Sequence, residues 1–158
     1  MLEVGAASLP TPERRSDTGP VRSPSLGHRV RWRRAYEPSL PTDGYRVLVD
    51  RLWPRGVSKG VLALDEWARD LAPSDALRHW FHHDPARWAG FVRAYRKELR
   101  APAIAPLVDA LAHRAMRGRV TLVFSARDVE RNNAVVLAGA IAARARGLRT
   151  RRRDRRAR

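Results

Sequence analysis

Two short apolar runs constrain the fold of this chain more than any other feature. Residues 47–49 (Val-Leu-Val) and 120–124 (VTLVF) are apolar along nearly their whole length, where a half-exposed strand would alternate apolar with polar residues. A continuous apolar strand is typical of a sheet whose two faces are both covered, as in parallel or mixed sheets. The two runs therefore predict central, buried strands.

Helix-forming sequence separates these strands. Ser74 can cap one helix, and Asp84 followed by Pro85 can begin another. On the second helix, apolar residues recur at helical spacing and form one stripe: Trp88, Phe91, Val92, Tyr95 and Leu99. Strands separated by helices predict the α/β class, here a single small layered domain with a parallel or mixed sheet and helices packed on it.

The remaining elements complete this domain. An edge strand is predicted near Val30, and a third helix is predicted to begin at Pro102 and to end at a C′ glycine, Gly118. A last helix, over about 129–145, is apolar nearly all round its middle. We therefore expect that helix to be deeply packed.

Composition divides the 158 residues into tail, domain and tail. Residues 1–27 contain four prolines and show no apolar periodicity, which predicts a disordered N-terminal extension. The α/β domain is predicted over 28–145. The formal net charge of the chain is +16, and half of it lies in residues 144–158, which carry nine arginines and one aspartate. Residues 146–158 are therefore predicted to be an Arg-rich disordered tail.

The residue types that are missing also limit the function. The chain has no cysteine, which excludes disulfides, thiolate metal sites and cysteine nucleophiles. Neither a long apolar run nor the layout of a secretory signal is present, so we expect a soluble, cytoplasmic protein with no membrane partner. The sequence indicates no cofactor and no oligomeric state.

Polar residues follow both apolar runs. In parallel α/β sheets, ligands bind beyond the carboxyl ends of the strands. Arg51 and Arg55 follow the first run, and Ser125 and Arg127 follow the second, just before a predicted helix N-terminus. Guanidinium groups and free helix N–H groups both favour anions. We therefore predict that these residues bind an anionic ligand.

Two further residues follow the first run. Asp50 is the candidate catalytic residue, because it could orient an arginine or act as a general base. Trp53 lies in the same loop and could contact the ligand. A purely structural alternative stays open: Asp128 would cap the helix, Asp50 would pair with an arginine, and Ser125 would close a turn.

The histidines do not predict a metal site. His82 and His83 are adjacent to Asp84, but neighbouring helical side chains point about 100° apart and rarely chelate one ion. The favoured interpretation is a helix end whose histidines complement the helix dipole and whose aspartate caps the next helix. No metal ligand is therefore assigned.

Residues 29–142 resemble the YeaO-like branch of the domain-of-unknown-function family 488, a group of small bacterial proteins. The resemblance rests on four segments: RRAYEP, DGYRVLVDRLWPRGVSK, LDEWARDLAPSDALRHWFHHDPARWAGFVRAYRKEL and TLVFSARDVERNNAVVL. It implies a compact α/β domain and carries with it no substrate, activity or cofactor. Six polar residues of these segments are the least explicable by packing: Asp50, Arg51, Arg55, Ser125, Arg127 and Asn132.

Two functional hypotheses follow. The first is a domain that binds a small anionic or phosphorylated ligand at the strand ends, with catalysis undecided. The alternative is a nucleic-acid-associated protein whose basic surface and Arg-rich tail contact phosphates without sequence preference.

Overall fold

Four parallel strands form the centre of the molecule in the computed structural model, which describes residues 29–158. The strands are β1 (Val30–Arg34), β2 (Tyr45–Leu48), β3 (Glu66–Trp67) and β4 (Val120–Phe124). Their order across the sheet is β1-β4-β2-β3, so the two apolar runs occupy the central positions and β1 lies at an edge, as predicted. Val120 of β4 pairs with Val30 on one side and with Tyr45 on the other. Because all strands run in one direction, their carboxyl ends meet at one edge of the sheet.

Within residues 29–158, five helices surround the sheet: α1 (Lys59–Leu62), α2 (Asp75–Phe81), α3 (Trp88–Leu99), α4 (Ala105–Arg117) and α5 (Asn133–Arg156). Single 3-10 turns precede β2, α2 and α3 over Pro41–Asp43, Arg69–Leu71 and Pro85–Arg87. Apolar residues of α2, α3, α4 and α5 form the main core with one face of the sheet. The α/β prediction with helices packed on the sheet is confirmed.

The apolar runs are continuous because the sheet has a core on each face. Val47 and Val49 belong to the main core, whereas Leu48 points into a smaller cluster with Ala35, Leu62 and Val123. Residues 47–49 are all fully buried. Successive side chains of a strand point to opposite faces, so two covered faces leave no position for a polar residue that lacks a partner.

Two of the four predicted helix starts are confirmed. The Ser74 side chain accepts a hydrogen bond from the Leu77 N–H at 3.1 Å and caps α2. The Asp84 side chain accepts from the Ala86 N–H at 2.9 Å and begins the turn that leads into α3. On α3, Phe91, Tyr95 and Leu99 of the predicted stripe are buried.

The ends of α4 differ from the prediction. The helix begins at Ala105 rather than Pro102, because residues 101–104 form a turn before it. Gly118 follows the helix in extended backbone with φ −167°, so it is not the left-handed C′ glycine that was predicted. Helix α5 likewise begins at Asn133, four residues after the predicted start at 129.

The prediction of a disordered Arg-rich tail over 146–158 is wrong for most of that segment. Helix α5 continues without a break through Arg156. Arginine has a high helix propensity, and a helix already fixed by its packed first half needs no new nucleus to extend. Cationic side chains also favour the negative end of the helix dipole. The prediction of a disordered N-terminal extension over 1–27 lies outside the described residues.

Candidate functional site

A cleft of about 660 Å³ opens at the carboxyl ends of β2 and β4. All seven residues that the sequence analysis selected line this one cleft: Asp50, Arg51, Trp53, Arg55, Ser125, Arg127 and Asn132. The strand order explains their proximity, because β2 and β4 are neighbours in the sheet and their following loops start side by side.

Asp50 joins the two loops. One carboxylate oxygen (Oδ2) accepts a hydrogen bond from the Ser125 backbone N–H at 2.8 Å. The other (Oδ1) accepts from the Asn133 side-chain amide at 3.2 Å, and that amide also donates to the Val49 carbonyl at 2.9 Å. No arginine lies within ion-pair distance of Asp50 in the part of the chain that the structure describes. Asp50 therefore ties the end of β2 to the β4–α5 loop and to the start of α5.

Neutral N–H groups donate to both oxygens of the Asp50 carboxylate, and the charge of Arg78 acts on it from beyond ion-pair distance. Burial raises the pKa of Asp50 above its ordinary value, and the hydrogen bonds from Ser125 and Asn133 lower it by less. Both oxygens are engaged in these bonds. The arrangement suits a positioning group better than a general base that must reach a substrate.

Four arginines line the cleft, and they differ in how they are held. Arg78 lies 3.2 Å from the Asp75 carboxylate, and Arg51 lies 3.7 Å from the same group. Arg55 and Arg127 are exposed and form neither an ion pair nor a side-chain hydrogen bond with any of residues 29–158. Two guanidinium groups of the cleft are thus anchored by an aspartate, and two are left for another partner.

Two buried polar atoms on the cleft wall make no hydrogen bond of ordinary length and angle within residues 29–158: the Arg51 Nε and the Ser125 Oγ. The Arg51 Nε has only the longer ion-pair contact with Asp75 at 3.7 Å. Buried polar atoms nearly always make at least one hydrogen bond. Both atoms belong to residues that line the cleft, which is where a ligand could satisfy them.

Asn132 caps helix α5 at the floor of the cleft. Its side-chain oxygen accepts from the Val135 N–H at 3.1 Å, and its amide nitrogen donates to the Asp128 carbonyl at 2.9 Å. The residue is 1% exposed. Its side chain is therefore engaged at both ends, in capping the helix and in closing the loop before it, which explains its polarity without a ligand.

Asp128 was the alternative cap, and the structure does not place it there. Its carboxylate accepts from the backbone N–H groups of Glu130 and Arg131 at 2.9 and 3.1 Å, inside the loop before the helix. These bonds lower the pKa of Asp128. Asp128 thus shapes the loop that carries Arg127.

Trp53 packs in the smaller apolar cluster while one side of it faces the cleft. Its indole N–H donates to the Val57 carbonyl at 2.6 Å, and its ring meets the edge of Trp67 at 5.3 Å. Trp53 therefore holds the loop 51–57 against the sheet and fixes the position from which Arg55 extends.

Several residues that line the cleft were not selected as site residues from the sequence. They include Tyr36, Arg78, Phe81, His83, Phe91 and Asn133. Tyr36 and the two phenylalanines give the cleft an aromatic wall beside its arginines. Arg34 of β1 holds the loop between β4 and α5, because its Nε donates to the Ala126 carbonyl at 2.9 Å. Only Asn133 carried a usable indication, since it is adjacent to Asn132, which was selected.

His83 enters the cleft through unusual backbone. His82 ends α2 with φ 42°, and His83 follows with φ 54°, both in the left-handed region that L-residues other than glycine rarely adopt. The predicted helix end at these histidines is confirmed, with Asp84 as the cap of the next turn. The two left-handed residues turn the chain sharply, and this turn brings His83 to the cleft.

The described residues offer no metal site, since no group of three or more His, Asp or Glu side chains among them could hold an ion. Over the same residues, no helix has the length and apolar character needed to cross a membrane.

Comparison with known proteins assigns a family to nearly all of the described residues. The model of a family described as the inactive DUF488-N3 subclade matches residues 29–155. The chain belongs to this subclade. The match extends past residue 142, where the resemblance in the sequence was expected to end, and includes most of the Arg-rich segment. The subclade model thus spans the sheet, the cleft and nearly all of α5.

Two relatives of the subclade chain are described as uncharacterised proteins. YeaO of Escherichia coli strain K12 is 42% identical over 109 residues, which cover 69% of this chain and 93% of YeaO. Rv3073c of Mycobacterium tuberculosis strain H37Rv is 44% identical over 110 residues, which cover 70% of this chain and 91% of the relative. No solved structure matches the chain.

Proposed function

We propose that the cleft binds a small anionic ligand, such as a nucleotide or a phosphorylated metabolite, without transforming it. The observation that carries the proposal is the convergence of four arginines on one cleft, two of them without a protein partner among residues 29–158. Like-charged groups that converge without an internal counter-ion repel one another, and an anionic ligand would remove that repulsion.

The N-terminus of α5 adds to this electrostatic environment. Asn132 and Asn133 at the start of the helix line the cleft. The first N–H groups of a helix carry a partial positive charge and favour anions. The two buried atoms without a hydrogen bond, Arg51 Nε and Ser125 Oγ, lie on the same wall and could complete the contacts of an oxyanion.

Two observations favour binding without catalysis. Both carboxylate oxygens of Asp50 already accept hydrogen bonds from the protein, so its role is to fix the loops. The subclade itself is described as inactive. A ligand of this class is available in the cytoplasm, which is where we place the protein.

Substitution of the two unpartnered arginines tests the proposal. The full-length chain, its Arg55→Gln/Arg127→Gln variant and a control, Arg93→Gln, would be titrated calorimetrically with inorganic phosphate and with nucleoside phosphates. Arg93 is exposed on α3 and has no ion-pair partner among the described residues. We expect the cleft variant to weaken binding at least about 100-fold, and the control to leave it unchanged.

The same variants must keep their fold for this test to be informative. Exposed arginines without partners contribute little to folding, so the free energy of unfolding should change by less than about 0.5 kcal/mol. Binding that survives in the double variant would refute the arginine clamp.

Nucleic-acid association is a second candidate function, and one observation favours it. The Arg-rich segment is part of helix α5 and lies largely inside the family match, so it belongs to the domain rather than to an appended tail. Deletion of residues 149–158 should flatten the dependence of nucleic-acid binding on salt, as measured by fluorescence anisotropy.

A further inference from the structure

The C-terminal end of α5 projects away from the core. The helix has 24 residues, which corresponds to a length of about 36 Å. Leu148 is the last of its residues that packs against the core cluster. Residues 149–156, called here the C-terminal arm, are all exposed and extend the helix by about 12 Å.

The arm carries positive charge that the protein does not neutralise. Six of its eight residues are arginines, with Thr150 and Asp154 as the other two. None of these arginines forms an ion pair with a residue in the range 29–158. Earlier in the same helix, by contrast, Arg144 forms an ion pair with Asp109 of α4. The difference marks residue 149 as the start of a surface whose counter-charge lies outside the fold.

The distribution of the arginines restricts the kind of partner. At about 100° per residue, the six arginines of the arm cover an arc of about 200°, and Thr150 and Asp154 occupy the remaining face. A helix that lies on a membrane surface needs an apolar face, and the arm contains no apolar residue. A basic arc wider than half the circumference suits a partner that presents phosphates on both flanks of the helix, which is the geometry of a nucleic-acid groove.

Groove width separates DNA from RNA. The major groove of B-form DNA is about 12 Å wide, and a helix with its side chains is about 10–12 Å across. The major groove of A-form RNA is deep and too narrow for side chains to read. A rigid cationic helix therefore fits duplex DNA better than duplex RNA.

We propose that the C-terminal arm inserts as a helix into the major groove of duplex DNA and contacts phosphates of both strands with little base preference. This proposal rests on the second candidate function and is independent of ligand binding in the cleft. The rigid helix distinguishes it from the disordered polycation that composition alone predicts.

A charge-matched pair of variants tests the location of the contacts. In the arm variant, Arg151, Arg152, Arg153, Arg155 and Arg156 become glutamine. In the control variant, five exposed cations outside the arm become glutamine: Arg93, Arg96, Lys97, Arg100 and Arg117. Binding to a labelled 16-base-pair duplex would be followed by fluorescence anisotropy between about 50 and 200 mM KCl.

The two variants should differ sharply although they lose equal charge. We expect the slope of log K against log salt to fall by about 3–4 in the arm variant, and affinity near 100 mM to drop at least about 100-fold. The control should change the slope by less than about 1. Equal losses in the two variants would show that net charge alone is responsible and would overturn the proposal.

A single substitution tests the helical form. Thr150→Pro keeps every arginine but cannot continue the helix, because proline lacks the N–H and its ring clashes with the preceding turn. We expect binding to duplex DNA to weaken at least about tenfold and binding to single-stranded DNA of equal length to stay the same. Unchanged binding to the duplex would overturn the proposal, as would tighter binding to duplex RNA or to vesicles of anionic lipid.

The cleft variant separates this test from the previous one. Arg55→Gln/Arg127→Gln should bind duplex DNA like the wild type, because the cleft lies at the opposite end of α5. DNA binding lost in the cleft variant and retained in the arm variant would place the DNA contacts at the cleft and refute the arm.

Discussion

An aspartate and at least one arginine lie at each end of strand β2, but the charges are paired differently at the two ends. At the start of the strand, Asp43 and Arg46 are each 4% exposed and form a direct ion pair at 2.5 Å. At its end, Asp50 is bound by neutral N–H groups, while Arg55 faces the cleft without a counter-ion among the described residues. Charge is thus neutralised inside the fold at the start of β2, called here the closed end. It is not neutralised at the end of β2 beside the cleft, called here the open end.

At the start of the strand, the Asp43–Arg46 pair has further hydrogen-bond partners. The Arg46 guanidinium also donates to the Leu62 carbonyl at 2.9 and 3.1 Å. Asp43 accepts from the Leu40 N–H through its carboxylate and from the Thr121 hydroxyl through its carbonyl. A buried ion pair is tolerated only with such additional bonds. The contrast indicates that the open end retains its arginines for a partner other than the fold.

The largest expected effect comes from breaking the closed end. Arg46→Leu would leave Asp43 charged and buried, with Arg33 at 3.9 Å as its remaining ion-pair partner. The free energy of unfolding should fall by about 3–5 kcal/mol, measured by urea denaturation. Arg127→Ala at the open end is the matched comparison and should cost less than about 0.5 kcal/mol. Similar losses at the two ends would remove the distinction between them.

The glycines beside the strand sharpen the comparison. Gly44, before β2, has φ +66°, and an added Cβ would lie 2.3 Å from the Arg119 carbonyl oxygen. Gly56, in the cleft loop, has φ +73° with open space around it. We expect Gly44→Ala to cost about 3 kcal/mol of unfolding free energy and Gly56→Ala about 1 kcal/mol, both by urea denaturation. Equal costs would mean that the backbone around Gly44 accommodates an added Cβ as easily as the cleft loop around Gly56 does.

The smallest expected effect concerns pH. Burial raises the pKa of Asp50, so the native state holds this proton more tightly than the unfolded chain does. Ionised Asp50 therefore reduces stability, and this cost is absent at low pH and grows as the pH rises through the native pKa. The stability of the wild type relative to Asp50→Asn should fall between about pH 4 and pH 7. A relative gain over that range would show that hydrogen bonding outweighs burial.

Much of the fold could be predicted because its main elements carry local signatures. The continuous apolar run at 47–49 indicates a strand covered on both faces. Serine and aspartate are common helix caps, and Ser74 and Asp84 act as such. The rule that ligands bind beyond parallel strand ends brought residues of two distant segments to one cleft. That α1 and β3 were missed follows from their lengths of four and two residues, which are too short for any periodicity.

What could not be predicted depends on contacts between distant segments. The pairing of Arg46 with Asp43 is local, but its burial depends on Leu62 and Thr121, which only the folded sheet brings near. Asp50 was expected to pair with an arginine or to act as a base, and its partners, Ser125 and Asn133, lie more than seventy residues away. Residues 146–158 were predicted to be disordered because their many arginines repel one another, but a helix already anchored by its packed half can extend through them.

Thermal unfolding of the full-length protein across an anion panel at constant ionic strength tests the central claim most directly. The panel would contain phosphate, sulfate and common nucleotides, with Arg55→Gln/Arg127→Gln measured in parallel. The account predicts that the melting temperature of the wild type rises with the concentration of at least one phosphorylated compound, and that the variant does not respond. A flat response of the wild type to every anion, or an equal rise in the variant, would contradict it.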